Sequence, residues 1–133
     1  MIVKKLKEDF KPSSEIASKR ISLAFMNILE NQFPIENKFH SLQFKTPFDF
    51  AGQLNIHVNH LNRVLKSNFN KTTTSIISER ILHEAKYLLL ESSWNISEIA
   101  YALGFKEVTH FNNFFKKHIS MSPSKYRNEI NRK

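Results

Sequence analysis

Cysteine is missing from this chain, which excludes disulfides, thiolate zinc sites and thiol nucleophiles and is compatible with an intracellular, cytoplasmic location. Glycine is nearly missing too. Gly52 and Gly104 stand far apart, so no glycine-rich loop can cradle a phosphate. No apolar run approaches the roughly 20 residues that a membrane span needs, and the start, MIVKKLKEDF, lacks the apolar stretch of a secretory signal. No membrane partner is therefore expected. Acids are scarce as well: twelve against twenty Lys plus Arg give a net charge of +8, which favours a polyanionic partner.

The chemistry of catalysis is equally thin. No nucleophile stands beside a base, no carboxylates pair, and Ser97 reads as part of a helix start. His57 and His60 lie three apart but have no acidic or cysteine partner nearby, and His83-Glu84 is equally bare, so surface or DNA-facing histidines are expected rather than a metal site. No enzyme activity and no cofactor are expected. Phenylalanine is abundant, at twelve residues, but falls mostly at helical core spacing and not as exposed platforms for single strands. Trp94 reads as packing before a helix start.

At 133 residues the chain can build one or two small cores. Its main feature is an internal repeat, offset by about fifty residues. Phe50 to Asn70 (FAGQLNIHVNHLNRVLKSNFN) and Ile99 to Ser120 (IAYALGFKEVTHFNNFFKKHIS) each read as helix, tight turn, helix. Ala51 matches Ala100 and Leu54 matches Leu103. After one extra residue in the second turn, Leu61 matches Phe111, Val64 Phe114, Leu65 Phe115, Lys66 Lys116 and Phe69 Ile119. Such turns need a residue tolerant of positive φ; Gly104 supplies it in the second copy and Asn55 in the first.

Val and Thr show no strict alternation, so the expected fold is all-α: two helix-turn-helix units joined by a long helix, with an extra N-terminal helix. Residues 1–12 are charged and read as poorly ordered or a linker remnant. Ser13 or Ser14 caps a first helix carrying Ile16, Ile21, Leu23, Phe25, Met26, Ile28, Leu29 and Phe33, which ends at Pro34. Ile35 to Lys45 reads as loop. The predicted division is residues 1–45 as an N-terminal region and 46–133 as a tandem domain: a first unit over 46–71, a connecting helix over 73–92 and a second unit over 95–130. Thr46-Pro47 with Asp49, Asn95 with Glu98, and Ser122-Pro123 are its helix-start signals.

In each repeat the second helix has an apolar stripe: Val58, Leu61, Val64, Leu65 and Phe69, then Val108, Phe111, Phe114, Phe115 and Ile119. What remains faces outward. The base-facing candidates are Asn59, His60, Asn62 and Arg63, then Val108 (at the stripe's border), Thr109, His110, Asn112 and Asn113; Lys66, Lys71, Lys116 and Lys117 are phosphate candidates. Asparagine pairs with adenine, arginine with guanine, and lysine anchors phosphate. No carboxylate falls between Asn55 and Lys71 or between Val108 and His118. A connecting helix of about 20 residues is roughly 30 Å long, close to the roughly 34 Å between successive major-groove faces. One chain could thus read two adjacent grooves.

Beginning at Ile96, ISEIAYALGFKEVTHFNNFFKKHISMSPSKYR resembles the signature of the arabinose-regulator (AraC/XylS) family of bacterial transcription factors. LNIHVNHLNRVLK and Arg80-Ile81…Glu84-Ala85-Lys86…Leu89-Leu90 are similar to it too, so the likeness runs from about Thr46 to Arg127. The resemblance implies binding to double-stranded promoter DNA, recruitment of RNA polymerase and residence on the bacterial nucleoid. It points to Asn59, Asn62 and Arg63, and to Val108, Thr109, Asn112 and Asn113, as base readers. Two features depart from the family's habit: Asn70 and Ser120 stand where glycine is common, and no arginine stands near Asn113. Relatives usually carry an upstream ligand-sensing or dimerisation domain, which residues 1–45 cannot hold, so the chain reads as part of a larger regulator or as a short stand-alone one. The competing reading is a helical protein-interaction or dimerisation module without specific DNA binding, with Phe25, Met26, Leu29 and Phe33 packing on the domain or on a second chain.

Overall fold

A computed structural model of the protein describes residues 13–131, which form seven helices and no strand. The expected linker remnant at 1–12 lies outside the described residues. The helices are α1 (Ser13–Glu30), α2 (Pro47–Leu54), α3 (Val58–Phe69), α4 (Thr73–Glu91), α5 (Ile96–Ala102), α6 (Val108–Ile119) and α7 (Pro123–Asn131). They form two compact units. One holds α1, α2, α3 and the first turn of α4; the other holds residues 31–45, the rest of α4, and α5 to α7.

The first unit starts α2 with a reciprocal cap. The Thr46 hydroxyl accepts the Asp49 N–H, and the Asp49 carboxylate accepts the Thr46 N–H, both at 3.1 Å. Pro47 fits the first turn because no N–H is needed there. Phe25 and Leu29 of α1 are buried with Phe50 and Ala51 of α2 and Leu61, Val64 and Leu65 of α3. The rings of Phe25 and Phe50 meet edge-on at 5.0 Å. So α1 is part of this unit's core, while its Ile16 and Leu23 face solvent. Asn68 of α3 ties it further, donating to the hydroxyls of Ser18 and Ser22 at 3.1 and 2.5 Å.

Two apolar expectations fail here. The first helix stops at Glu30, short of Phe33, whose ring lies 4.0 Å from the Arg80 guanidinium carbon; a cation over an aromatic face replaces helical packing. Phe69, expected in the buried stripe, is 41% exposed. It is the last residue of α3, where the chain leaves through left-handed Asn70, so its ring projects past the packed face.

In the second unit α4 buries Ile77, Ile81, Ala85, Leu88 and Leu89, a three-and-four spacing that meets Ile99, Ala100, Ala102, Leu103, Phe111 and Phe115 in the same core. Asn95 and Glu98 start α5 with a second reciprocal cap, both bonds at 2.8 Å. Arg127 of α7 donates to the carbonyls of Leu89, Leu88 and Ser92 at 2.8, 3.3 and 3.4 Å, tying α7 to the end of α4, where the Leu88 carbonyl also accepts the Ser92 N–H and hydroxyl.

Ile35 to Lys45 have no regular structure, as expected, and neither do residues 31–33, which were expected in the first helix; yet the whole stretch is firmly tied. The Gln32 carboxamide makes two bonds to the Phe44 backbone, both 2.9 Å. The Ile35 N–H donates to buried Glu84 at 2.7 Å, and the Leu42 N–H to the Ala102 carbonyl at 3.1 Å. Lys38 pairs with Glu98 at 2.6 Å. That bond first, and the Asn95 backbone second, hold the Glu98 carboxyl below the usual glutamate range. The contribution is therefore present above the ordinary glutamate pKa and fades as pH falls through the lowered value.

Left-handed backbone closes α3 and α6, at Asn70 (φ 56°) and Ser120 (φ 68°). Asparagine tolerates this region; serine gains nothing there to offset its Cβ crowding. Ser120→Gly is expected to raise stability by about 1 kcal/mol, measured by urea unfolding at unchanged m. A loss would show that the Ser120 side chain has a partner worth more than the strain.

Candidate nucleic-acid interface

The two turns are built alike. In the first, the Asn55 N–H bonds the Gly52 carbonyl at 3.3 Å and the Ile56 N–H bonds the Ala51 carbonyl at 3.1 Å. In the second, the Gly104 N–H bonds the Tyr101 carbonyl and the Phe105 N–H bonds the Ala100 carbonyl, both at 2.9 Å. These are the same positions of the repeat. Asn55 (φ 54°) and Gly104 (φ 90°) both take positive φ, as the repeat predicts. Gly104 has a second reason to be glycine: a Cβ there would land on the side chain of Lys45. The Lys45 ammonium donates to the Gly104 carbonyl and lies 5.7 Å from the Phe105 ring centroid. Phe105 in turn packs its ring against Phe111 at 5.4 Å and Phe114 at 5.3 Å, so the turn is pinned to the helix it launches.

On α3 the buried side is Leu61, Val64 and Leu65, with Val58 half-buried. Asn59, His60, Asn62, Arg63 and Lys66 are exposed on the other side, and Lys71 is exposed just beyond the helix. Asn62 is not idle: its carboxamide oxygen accepts the Thr73 hydroxyl at 2.8 Å, which orients the side chain at the start of α4. Arg63 and Lys66 line an open groove of about 560 Å³ together with Pro47, Thr72 and Thr74. Thr72 caps α4 by accepting the Ser75 N–H at 3.1 Å, and no acid occupies that helix's first turn. Arg63 and Lys66 thus stand beside the start of α4, in a groove lined mostly by apolar atoms.

On α6 the buried residues are Phe111 and Phe115, with Phe114 and Ile119 half-buried. Val108, Thr109, His110, Asn113, Lys116 and Lys117 are exposed, whereas Asn112 is half-buried and presents less of itself than its neighbours.

Two side chains at the helix tips were outside the sequence-derived set. His57 is the N-cap of α3; its Nδ1 accepts the Asn59 N–H at 3.1 Å, which leaves Nε2–H to point outward as a donor. Glu107 is the N-cap of α6 and makes no capping bond with its side chain. It escaped notice because the acid-free window starts one residue later, at Val108. Placing the cap one residue before the first apolar position would have found both.

A helix-turn-helix domain family matches residues 50–129, which include both turns and both outward faces. The chain belongs to the AraC-type helix-turn-helix family. A solved transcriptional regulator with an AraC-type DNA-binding domain, from Chromobacterium violaceum, is 25% identical, covers 82% of this chain and 86% of that one, and gives a TM-score of 0.56. The C-terminal domain of the two-component response regulator yesN from Fusobacterium nucleatum is 28% identical over 77% of this AraC-type chain and 93% of that domain, with a TM-score of 0.65. Histidine kinase P4 of Formosa agariphila is 30% identical over 127 residues, 93% of this chain but 9% of the kinase. The chain spans less than two fifths of the length of the curated relatives it matches.

Proposed function

We propose that the chain binds duplex promoter DNA in a sequence-specific way, reads two adjacent major grooves with α3 and α6, and regulates transcription. The observation that carries this is the repeated device itself: a left-handed turn launches an amphipathic helix whose free side holds amides, imidazoles and cations and no carboxylate. Asparagine and arginine match base edges with neutral or positive groups, whereas a carboxylate facing the backbone is repelled by phosphate. Asn59, His60, Asn62 and Arg63 face bases in one groove, and Val108, Thr109, His110, Asn112 and Asn113 in the other. Lys66, Lys71, Lys116 and Lys117 hold phosphates. The same reading gives each compact unit one reader and α4 the role of spacer. It also includes contact with RNA polymerase on the bacterial nucleoid and, in a longer protein, an upstream sensing or dimerisation domain.

Binding to a selected duplex, measured against salt, tests the reading. Four phosphate contacts give a log–log slope of about −3.6. A flat salt response, or equal affinity for all duplexes, would leave only an interaction module. Arg63→Ala is expected to cost about 1–3 kcal/mol on the specific site and to relax preference at one base pair; unchanged specific affinity removes Arg63 from the base readers. Lys116→Ala is expected to weaken all sequences alike and reduce the salt slope by about 0.9. A loss confined to one sequence contradicts its phosphate role.

A further inference from the structure

Glu107 is an anomaly on the surface that would meet DNA. Five of the other helix starts, at Thr46, His57, Thr72, Asn95 and Ser122, each use the side chain to accept a backbone N–H of the helix that follows. Glu107 occupies the same position on α6, in extended backbone (φ −133°, ψ 145°), without such a bond. Its side chain is 69% exposed and projects from the tip of a helix that carries no acid of its own and ends in Lys116, Lys117 and His118. Helix stability does not account for a glutamate here, because serine, threonine, aspartate or asparagine would cap and glutamate does not. A bare carboxylate at this tip would also oppose phosphate.

The partner it does have is informative. Glu107 Oε2 lies 4.0 Å from Nε2 of His110, one turn along, and the His110 side chain is 63% exposed. A carboxylate oxygen and an imidazole nitrogen thus stand side by side, one an acceptor and the other able to donate. In the major groove cytosine offers the N4 amino donor, and its paired guanine offers the O6 and N7 acceptors. Cytosine N4 and guanine O6 are hydrogen-bonded to each other, so they sit about 3 Å apart. The two side-chain atoms are 4.0 Å apart, wider than that separation but still within reach of the edge of a single base pair.

We infer that Glu107 and His110 together read one C·G pair in the second groove, Glu107 accepting from cytosine N4 and His110 donating to the guanine. This rests on the reading of α6 as a groove reader and adds a specificity-determining acid to it. The carboxylate also works against the alternatives: guanine and thymine at the cytosine position present acceptors to it, so it rejects them.

The test is selection of bound sequences from a random duplex pool with the full chain and the variants E107A, E107Q and H110A, all at exposed positions. The wild type is expected to select cytosine at one position of the second half-site. E107A lowers that preference by roughly fivefold or more, leaving the other positions unchanged. E107Q moves it toward adenine, because a carboxamide can both accept from N6 and donate to N7. H110A weakens preference at the same pair. If E107A keeps every base preference and only binds all duplexes more tightly, the carboxylate merely repels phosphate and the inference is overturned; uniform weakening overturns it too. A wild type that selects no sequence removes the groove reading of α6 itself, and this inference with it.

Discussion

Phe111→Ala is expected to cost about 4 kcal/mol. The ring is fully buried, with Phe105 at 5.4 Å and Phe115 at 6.0 Å, and it is the residue through which α6 is anchored under the turn. Removing it takes away the transfer free energy of a whole aromatic side chain and leaves a cavity among rings that cannot collapse far, since Phe105 is held on its other side by Lys45 and Phe114. For a chain of this size the melting temperature should fall by roughly 12 °C. Differential scanning calorimetry checks it. A drop of only a few degrees would mean that α6 does not depend on this contact, and that Phe111 is not the counterpart of Leu61 in the repeat.

Leu65→Ala is expected to cost about 3 kcal/mol in the first unit. Leu65 is fully buried and lies one helical turn beyond Leu61, so truncation opens a gap on the side of α3 that faces α1 and α2. Urea unfolding should show a lower midpoint at nearly the same slope. A surface-like loss below about 0.5 kcal/mol would mean that α3 presents the opposite face to solvent, and Asn59 and Arg63 would then no longer be available to a groove.

These two side chains also show what was readable beforehand. The stripes of Leu61 and Leu65, and of Phe111 and Phe115, follow from three-and-four spacing, and all four are buried. Reciprocal caps at Thr46 with Asp49 and at Asn95 with Glu98 are local, and local chemistry is legible. So are the positive-φ turns at Asn55 and Gly104. What spacing could not reveal is long-range and aperiodic. The loop over 31–45 is held by Ile35 bonding Glu84 and by Lys45 bonding Gly104, pairs 49 and 59 residues apart with no repeat to announce them. Phe33 is apolar and in register with the first helix, yet it lies beyond that helix and its ring is met by Arg80 of α4. Phe69 was in register too, but register does not say where a helix outruns its neighbours.

The same distinction applies to the outward faces. Exposure of Asn59, Arg63, Thr109 and Asn113 follows directly from burying the opposite stripe. The hydrogen bond from Thr73 to Asn62 and the uncapped glutamate at 107 depend on how neighbouring elements meet the readers, which no single helix encodes. Those contacts sort equally exposed residues into oriented and unoriented ones.

Hydroxyl-radical footprinting of the chain on a duplex selected from a random pool tests the central claim most directly. Two protected patches on one face of the duplex, centred about 10 bp apart, are expected, with Leu65→Ala weakening one patch first and Phe111→Ala the other. A single patch of one half-site, or protection that does not depend on sequence, would contradict two readers in adjacent grooves.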